Sequence, residues 1–461
     1  MDSYVNTSLG GLTKMNTKNK NSNKLAINMA ISLLLGLVAG TAFIFLREYL
    51  NNNGQANLWT TINNLLFQDI STPDGAKSIG LFYIIGQLFV NSLQLVIVPM
   101  VFTSIALAMC SVTDNKKLGR ISYKTILGFL VTSVFALALA GIFGITADRM
   151  GLFNVSISNI STSTGSAGSN PLLVLVQSIP SNILDAFSQN GKVLSVVFVA
   201  VATGLCINAL GEQITIIKKV LEDINKIITV FLGFVINKFG PIAIFVLITR
   251  TFAIYGIDHL KPALAYIITV VLALLIFLVF GYAIFIFLST GLNPIIFIKK
   301  IAKVALFGFS TSSSASSLPL NTKTTIEELG VSEEIASFVL PLGMTINMNG
   351  TAIMQVIAAI FIASSSGYDV TVSSIFVIAV LALVSSIGTP AAPGAGAIIL
   401  FTVLTGMGYQ NDAALLSYSL ILAINRPVEM LLTALNVVGD SATAVAVAKS
   451  ENALNEEIYN S

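Results

Sequence analysis

Residues 425–440 read NRPVEMLLTALNVVGD. They lie inside a long apolar segment, 415–447, that otherwise has the composition of a membrane span. A charge at the bilayer centre costs roughly 2.5–3.5 kcal/mol on insertion scales. Asn425, Arg426, Glu429, Asn436 and Asp440 therefore need a partner, a cavity or an ion. At roughly 100° per residue, Asn425, Glu429, Leu432, Thr433, Asn436 and Asp440 fall close to one helical face. The stretch reads as one wall of a polar site buried in a membrane.

Composition agrees. The chain has 461 residues, of which 55% are hydrophobic and 10% charged, against roughly 25% charged in soluble domains. Its mean hydropathy is +0.86. Long continuous apolar runs point to a polytopic α-helical membrane protein rather than a β-barrel of short alternating strands. A net charge of +2 gives no reason to expect a nucleic-acid partner. Cys110 and Cys206 both lie in apolar stretches and read as packing residues. The single histidine, His259, supports no metal constellation. The first apolar run follows a lysine-bearing polar tail and has no small-residue cleavage pattern, so it reads as an uncleaved span.

Apolar spans fall at about 25–46, 79–109, 121–146, 172–210, 216–255, 263–289, 301–319, 335–364, 372–404 and 415–447. Several exceed the roughly 20 residues of a perpendicular helix, so they must tilt or break. Basic residues sort by side. Lys116, Lys117, Arg120 and Lys124 follow the second span, and Lys218, Lys219 and Lys226 precede the fifth. Lys299, Lys300 and Lys303 follow the sixth. All fit a cytoplasmic N-terminus if 301–319 and 372–404 each enter and leave on one side. Both are therefore candidate re-entrant hairpins. Their composition suits this: Ser310–Pro319 is serine-rich, and 385–396 carries Gly388, Pro390, Pro393, Gly394 and Gly396. Irregular backbone at membrane depth is tolerated only where it is buried in protein or lines a cavity. Paired interrupted segments are a pointer to a transporter's site. Between the hairpins, residues 345–351 read TINMNGT. Asn347, Asn349 and Thr351 supply oxygens there, and Gly350 is expected to permit local unwinding, which suits a hard monovalent cation such as Na⁺.

At these places the sequence resembles the dicarboxylate/amino acid:cation symporter family, the glutamate-transporter fold. The matching stretches are 312–319, 347–351, 388–396 and 436–440, in the family's order, and the likeness covers about 25–448. The resemblance implies an all-α polytopic fold of eight transmembrane helices and two re-entrant hairpins, assembled as a homotrimer in the plasma (inner) membrane. It implies an elevator in which a transport domain moves past a scaffold. Residues 1–24 would be a cytoplasmic tail, 25–120 and 150–256 scaffold, and 121–149 with 257–448 the transport domain. Residues 449–461 would be a second cytoplasmic tail, read as a solvated end.

The resemblance also implies site roles. Asp440 would ligate one Na⁺ with backbone oxygens of Gly343, Asn347 and Asn436. Backbone oxygens of Thr345, Ser386, Ile387 and Thr389 would form a second Na⁺ site that closes with the second hairpin. Thr433 and Asn436 would contact the substrate's α-amino and carboxylate groups, with Ser313, Ser314, Thr351, Ala392 and Gly396 completing the pocket. Glu429 stands where many relatives carry an Asp that binds the substrate ammonium. Leu432 stands where acidic-substrate members carry an Arg for the side-chain carboxylate, and an apolar group cannot replace that contact. Arg426 lies about 120° round the helix from Leu432 and is placed to pair with Glu429 at i,i+3. The weaker third cation site would comprise Thr132, Ser133 and Asn349. Asn349 replaces an Asp there and Phe129 a Tyr, so a proton held at Glu429 is one substitute for the third ion.

The resulting expectation is a secondary active symporter of a small, neutral amino acid (serine, threonine, alanine or cystine-like) driven by inward Na⁺. Uptake of an acidic amino acid or dicarboxylate, or proton coupling, is the alternative. Na⁺ is the expected coupling ion, and no organic cofactor is expected. An enzyme is the poorer reading, because no Ser/His or Ser/Lys pair sits at one depth. A channel would want a continuous polar stripe.

Overall fold

The computed structural model describes residues 34–110, 116–154, 179–188, 192–255, 260–387, 389 and 394–461, together with 28, 31 and 32. His259, Gly388, Ala392 and residues 155–178 lie outside these residues. Among those described, the structure is helical apart from one isolated antiparallel bridge, Val331 to Leu454. In chain order the helices used below are α1 (Leu34–Asn52), α2 (Ala56–Leu66), α3 (Leu81–Leu95), α4 (Ile97–Cys110) and α5 (Lys116–Arg149). Then come α6 (Val193–Leu210), α7 (Ile216–Phe234), α8 (Gly240–Tyr255), α9 (Leu260–Ile276) and α10 (Tyr282–Thr290). They are followed by α11 (Pro294–Thr311), α12 (Ser314–Glu327), α13 (Glu333–Ile346), α14 (Asn349–Ser365) and α15 (Val372–Ile387). The last are α16 (Ala395–Met407), α17 (Asp412–Ile424), α18 (Arg426–Ser450) and α19 (Glu456–Asn460). Among the described residues, 7 helices are long and apolar enough to cross a membrane.

The chain divides into two units. The first comprises 1–92 and 233–257. Within it, Arg47 donates to the carbonyls of Ala253 and Ile254, and Arg250 donates to the carbonyl of Phe67. Phe67 is fully buried and meets Phe43 and Phe82 edge-on. These contacts tie α1 and α3 to α8, which are far apart in sequence.

The second unit, 93–232 and 258–461, holds every predicted site residue. Its centre is α14, which is mostly apolar and almost entirely buried. A helix of that kind must be surrounded by protein or lipid, and here α5, α9, α15, α16 and α18 surround it.

Four breaks interrupt the helices near this centre. The first hairpin is α11 and α12, turned by Ser312 at φ 48° and by extended Ser313. The predicted bounds of 301–319 are too short, and most of the serine run is helical rather than irregular. The reason is capping. Ser313 accepts from the Ser316 amide, and the Ser317 hydroxyl donates to the Ser313 carbonyl at 3.0 Å. Serines thus satisfy the free donors and acceptors at the start of α12. The second break separates α13 from α14 at Asn347 and Met348. Gly350, expected to allow the unwinding, is instead helical. The third break turns α15 into α16, with Gly394 at φ 87° just before α16. The fourth separates α17 from α18 at Asn425, so the expected single segment 415–447 is two helices. Pro427 stands in the first turn of α18, where its missing N–H costs no bond.

Candidate functional site

Three of these breaks converge on a small cavity of about 20 Å³ lined by Ser312, Ser314, Met348, Thr351, Thr389, Gly394, Gly396, Glu429, Leu432, Thr433 and Asn436. A cavity of that size holds little more than one water molecule. Seven predicted pocket residues are brought together there: Ser314, Thr351, Gly396, Glu429, Leu432, Thr433 and Asn436. Ser313 does not line the cavity; its hydroxyl caps α12. Ala392 falls outside the described residues. Ser312, Met348 and Gly394 line the wall without having been singled out as pocket residues.

Asn436 orders one wall. Its side-chain oxygen accepts from the Gly350 amide at 2.8 Å, and its side-chain nitrogen donates to the Thr351 hydroxyl at 3.4 Å. This contact explains Gly350. A Cβ there would lie 2.6 Å from the Leu432 carbonyl oxygen and 2.8 Å from its Cα. Backbone cannot give way as a side-chain end can, so α14 and α18 meet this closely only through glycine. Gly350→Ala is expected to destabilise the protein by about 1–3 kcal/mol and to lower thermal stability and uptake together. An unchanged melting temperature would contradict the close approach.

Glu429 sits two turns before Asn436 on the same helix, α18. Arg426 reaches its carboxylate at 3.5 Å, both side chains being largely buried. Backbone groups of Gly394 and Ala397 also hydrogen-bond to Glu429. The carboxylate therefore joins α18 to the start of α16. Asn425, expected on the same polar face, is not in the cavity wall. Its side-chain oxygen accepts from Tyr266 at 2.8 Å at the α17–α18 break. No arginine or lysine lines the cavity among the described residues.

Beside the cavity, Asp440 is 2% exposed, and its carboxylate accepts from the Asn347 side-chain amide at 2.9 Å. The same amide nitrogen donates to the Asn436 carbonyl at 3.3 Å. The Asn347 side-chain oxygen is buried with no hydrogen-bond partner. The contacts of Asp440 include no cationic side chain among the described residues. Gly343 allows the approach, since a Cβ there would lie 2.5 Å from the Asp440 carboxylate. Gly439 does the same on the other side, where a Cβ would lie 2.6 Å from the Asn347 amide nitrogen and 2.2 Å from the Tyr282 hydroxyl. A buried carboxylate, one backbone carbonyl and the orphan oxygen of the amide that joins them lie here without a positive charge, the amide turning its nitrogen to the carboxylate. This fits a hard monovalent cation.

The other two predicted cation sites differ in character. Thr345 and Ser386 hydroxyls donate back to carbonyls of their own helices, Leu342 and Leu383. Thr389 lines the cavity, and its amide bonds to the Ser386 carbonyl. Ile387 is the last residue of α15. At the third site, Ser133 donates to the Asn349 oxygen at 2.6 Å, and the Asn349 nitrogen donates to Thr132 at 3.0 Å and Tyr282 at 3.2 Å. Phe129 is buried beside Gly343. Both ends of the Asn349 amide thus have neutral partners, and no carboxylate joins them.

Sequence reasoning missed Tyr282, Tyr266, Met348 and Gln355. Gln355 donates to the Gly396 carbonyl at 3.3 Å. The tyrosines were hidden in strongly apolar spans, where an aromatic reads as core. Gln355 had a signal, being the one polar side chain in the stretch 352–363.

The profile of the family described as "Sodium:dicarboxylate symporter family" matches residues 25–450. Among similar proteins is one from Bacillus caldotenax named proton/sodium-glutamate symport protein, 29% identical over 81% of this chain and 88% of its own. Another, from Escherichia coli K12, is named proton/glutamate-aspartate symporter, 28% identical over 91% of this chain and 92% of its own. A third, from Cupriavidus pinatubonensis, is named C4-dicarboxylate transport protein, 30% identical over 80% of this chain and 86% of its own.

Proposed function

Because this chain belongs to the sodium:dicarboxylate symporter family, we propose that it is a multi-pass symporter that couples uptake of a small neutral amino acid to inward Na⁺. The observation that carries this reading is the Asp440–Asn347 oxygen set lying against the cavity through Asn436. A bound Na⁺ would supply the positive charge that this oxygen set lacks. Asn436 serves both places. Its backbone carbonyl meets the Asn347 amide, while its side chain holds Gly350 and Thr351 in the cavity wall. Whatever orders Asn347 and Asp440 therefore also orders the substrate wall. Coupling of that kind is reciprocal, so substrate raises ion affinity by the factor that the ion raises substrate affinity.

The substrate class follows from the charges. Glu429 supplies one negative charge to the cavity for a substrate ammonium. The hydroxyls of Ser314, Thr351 and Thr433 and the amide of Asn436 suit an α-carboxylate. Leu432 presents hydrocarbon where a second carboxylate would go, and an unpaired buried carboxylate is costly. A second reading, uptake of an acidic amino acid or dicarboxylate, is favoured by the names of the relatives. In that case Arg426, already beside Glu429, is the available cation. Proton coupling is the alternative at the ion site, since the third site has Asn349 where a carboxylate would be needed. We place the N-terminus in the cytoplasm from the distribution of lysine and arginine. The scaffold and transport parts, the trimer and the elevator follow the family reading.

Labelled serine, alanine, cystine and aspartate, presented to proteoliposomes with Na⁺ or choline outside, test both readings. Na⁺-dependent accumulation of a neutral amino acid is the expected result. Leu432→Arg is expected to improve competition by aspartate about tenfold or more, since a hydrogen bond to a charged group contributes about 1.5–3 kcal/mol. Aspartate accumulation by the unaltered protein, or no change in competition with Leu432→Arg, would sink the neutral reading.

A further inference from the structure

The segment after α18, expected to be a solvated tail, is instead packed against the protein. The chain reverses at Asn452, which adopts φ 55°. It then pairs with the residues that follow the first hairpin. The Ser332 amide donates to the Ala453 carbonyl at 3.1 Å, and the Asn455 amide donates to the Gly330 carbonyl at 2.8 Å. These two bonds bracket the Val331–Leu454 bridge. Gly330, at φ 73°, allows the approach, because a Cβ there would lie 2.3 Å from the Asn455 carbonyl oxygen.

Asn455 then caps α19 by accepting from the amides of Glu457 and Ile458. The short helix carries Tyr459 into full burial, where its hydroxyl donates to the Asn293 carbonyl at 3.0 Å, just before α11. Lys300 of α11 closes the arrangement. Its ammonium donates to the carbonyls of Glu328, Ile458 and Tyr459 at 2.9, 2.8 and 3.0 Å. All three of its donors are thus used, and two of them cap the end of α19. At the other end of the segment, Arg120 donates to Glu451 at 2.9 Å and Lys124 donates to the Ser450 carbonyl at 3.1 Å, which adds α5. Hydrogen bonds from Arg120, then from Lys124, hold the Glu451 carboxyl down to about 2, so it stays ionised at physiological pH. An eleven-residue solvated tail would have no reason to bury an aromatic ring or to satisfy a lysine in full.

We propose that residues 451–461 form a strap that fastens both legs of the first hairpin, α11 and α12, to the end of α18 and so suppresses local opening of the hairpin's ends. The strap touches the start of α11, the turn after α12 and the start of α13. The first hairpin cannot tilt away from α18 without breaking these bonds together. The mechanical statement stands on contacts alone, whereas its consequence for transport rests on the symporter reading.

Hydrogen–deuterium exchange on the purified full chain and on a chain lacking 453–461 tests it. Without the strap, amides of 294–332 are expected to exchange about tenfold faster or more, while α14 is unchanged. Unchanged exchange in 294–332 would overturn the proposal. Should the shortened chain exchange fast throughout, Tyr459→Ala gives the same comparison with the backbone complete. A second arm uses Val331→Cys with Leu454→Cys, at facing positions of the bridge, in a chain with Cys110 and Cys206 replaced. The oxidised form is expected to take up substrate at a rate within about twofold of the reduced form. Uptake lost on oxidation and restored by reduction would mean that the strap must detach in each cycle, which also overturns the proposal. If no form transports anything, the symporter reading fails while the exchange result still decides the strap.

Discussion

Asp440→Asn is expected to abolish Na⁺-dependent uptake while leaving the helices folded. Asn is nearly isosteric with Asp, so the packing against Gly343 and the partner Asn347 can persist. What disappears is the one full negative charge in the oxygen set. Breaking a buried charge pair costs about 3–5 kcal/mol, which is roughly 100-fold or more in ion affinity. Circular dichroism would check the fold. Thermal stabilisation by NaCl over choline chloride would check binding without any assumption about substrate. Uptake by Asp440→Asn at the normal Na⁺ dependence would remove Asp440 from the ion site.

Glu429→Gln is expected to raise the KM for a neutral amino acid about tenfold to a hundredfold, since hydrogen bonds to a charged group contribute about 1.5–3 kcal/mol. Glu429 has two partners that a simple wall residue would lack: Arg426 at 3.5 Å and the backbone at the start of α16. The amide keeps the shape but removes the negative charge that faces the largely buried Arg426. Stability should therefore fall as well. The double variant Arg426→Gln with Glu429→Gln separates the effects. It should recover stability but not substrate affinity. A KM unchanged in Glu429→Gln would leave this carboxylate as a structural partner of Arg426 alone. Retained Na⁺ stabilisation in the same variant would keep the ion-site and substrate-site tests apart.

The sequence alone determined the class of this protein and three of the four places where its helices break near the cavity. Hydropathy and charge are sums over local sequence, so the membrane-embedded helical character and the polar run 425–440 were legible without coordinates. Serine-rich and Gly/Pro-rich interruptions also mark irregular backbone locally, which is why both hairpins were found, though the first extends well beyond 301–319. Tertiary structure decided who meets whom. Asn347 reaches Asp440 across 93 residues, and Ser133 reaches Asn349 across 216. No periodicity carries such pairs, because they depend on how separate helices pack. Gly350 shows the difference in one residue: its sequence context suggested unwinding, whereas the close crossing of α14 and α18 gives it a steric role. The strap is a similar case. Polar residues 451–461 have the composition of a free end, and only their hydrogen bonds to backbone groups around the first hairpin make them part of the fold.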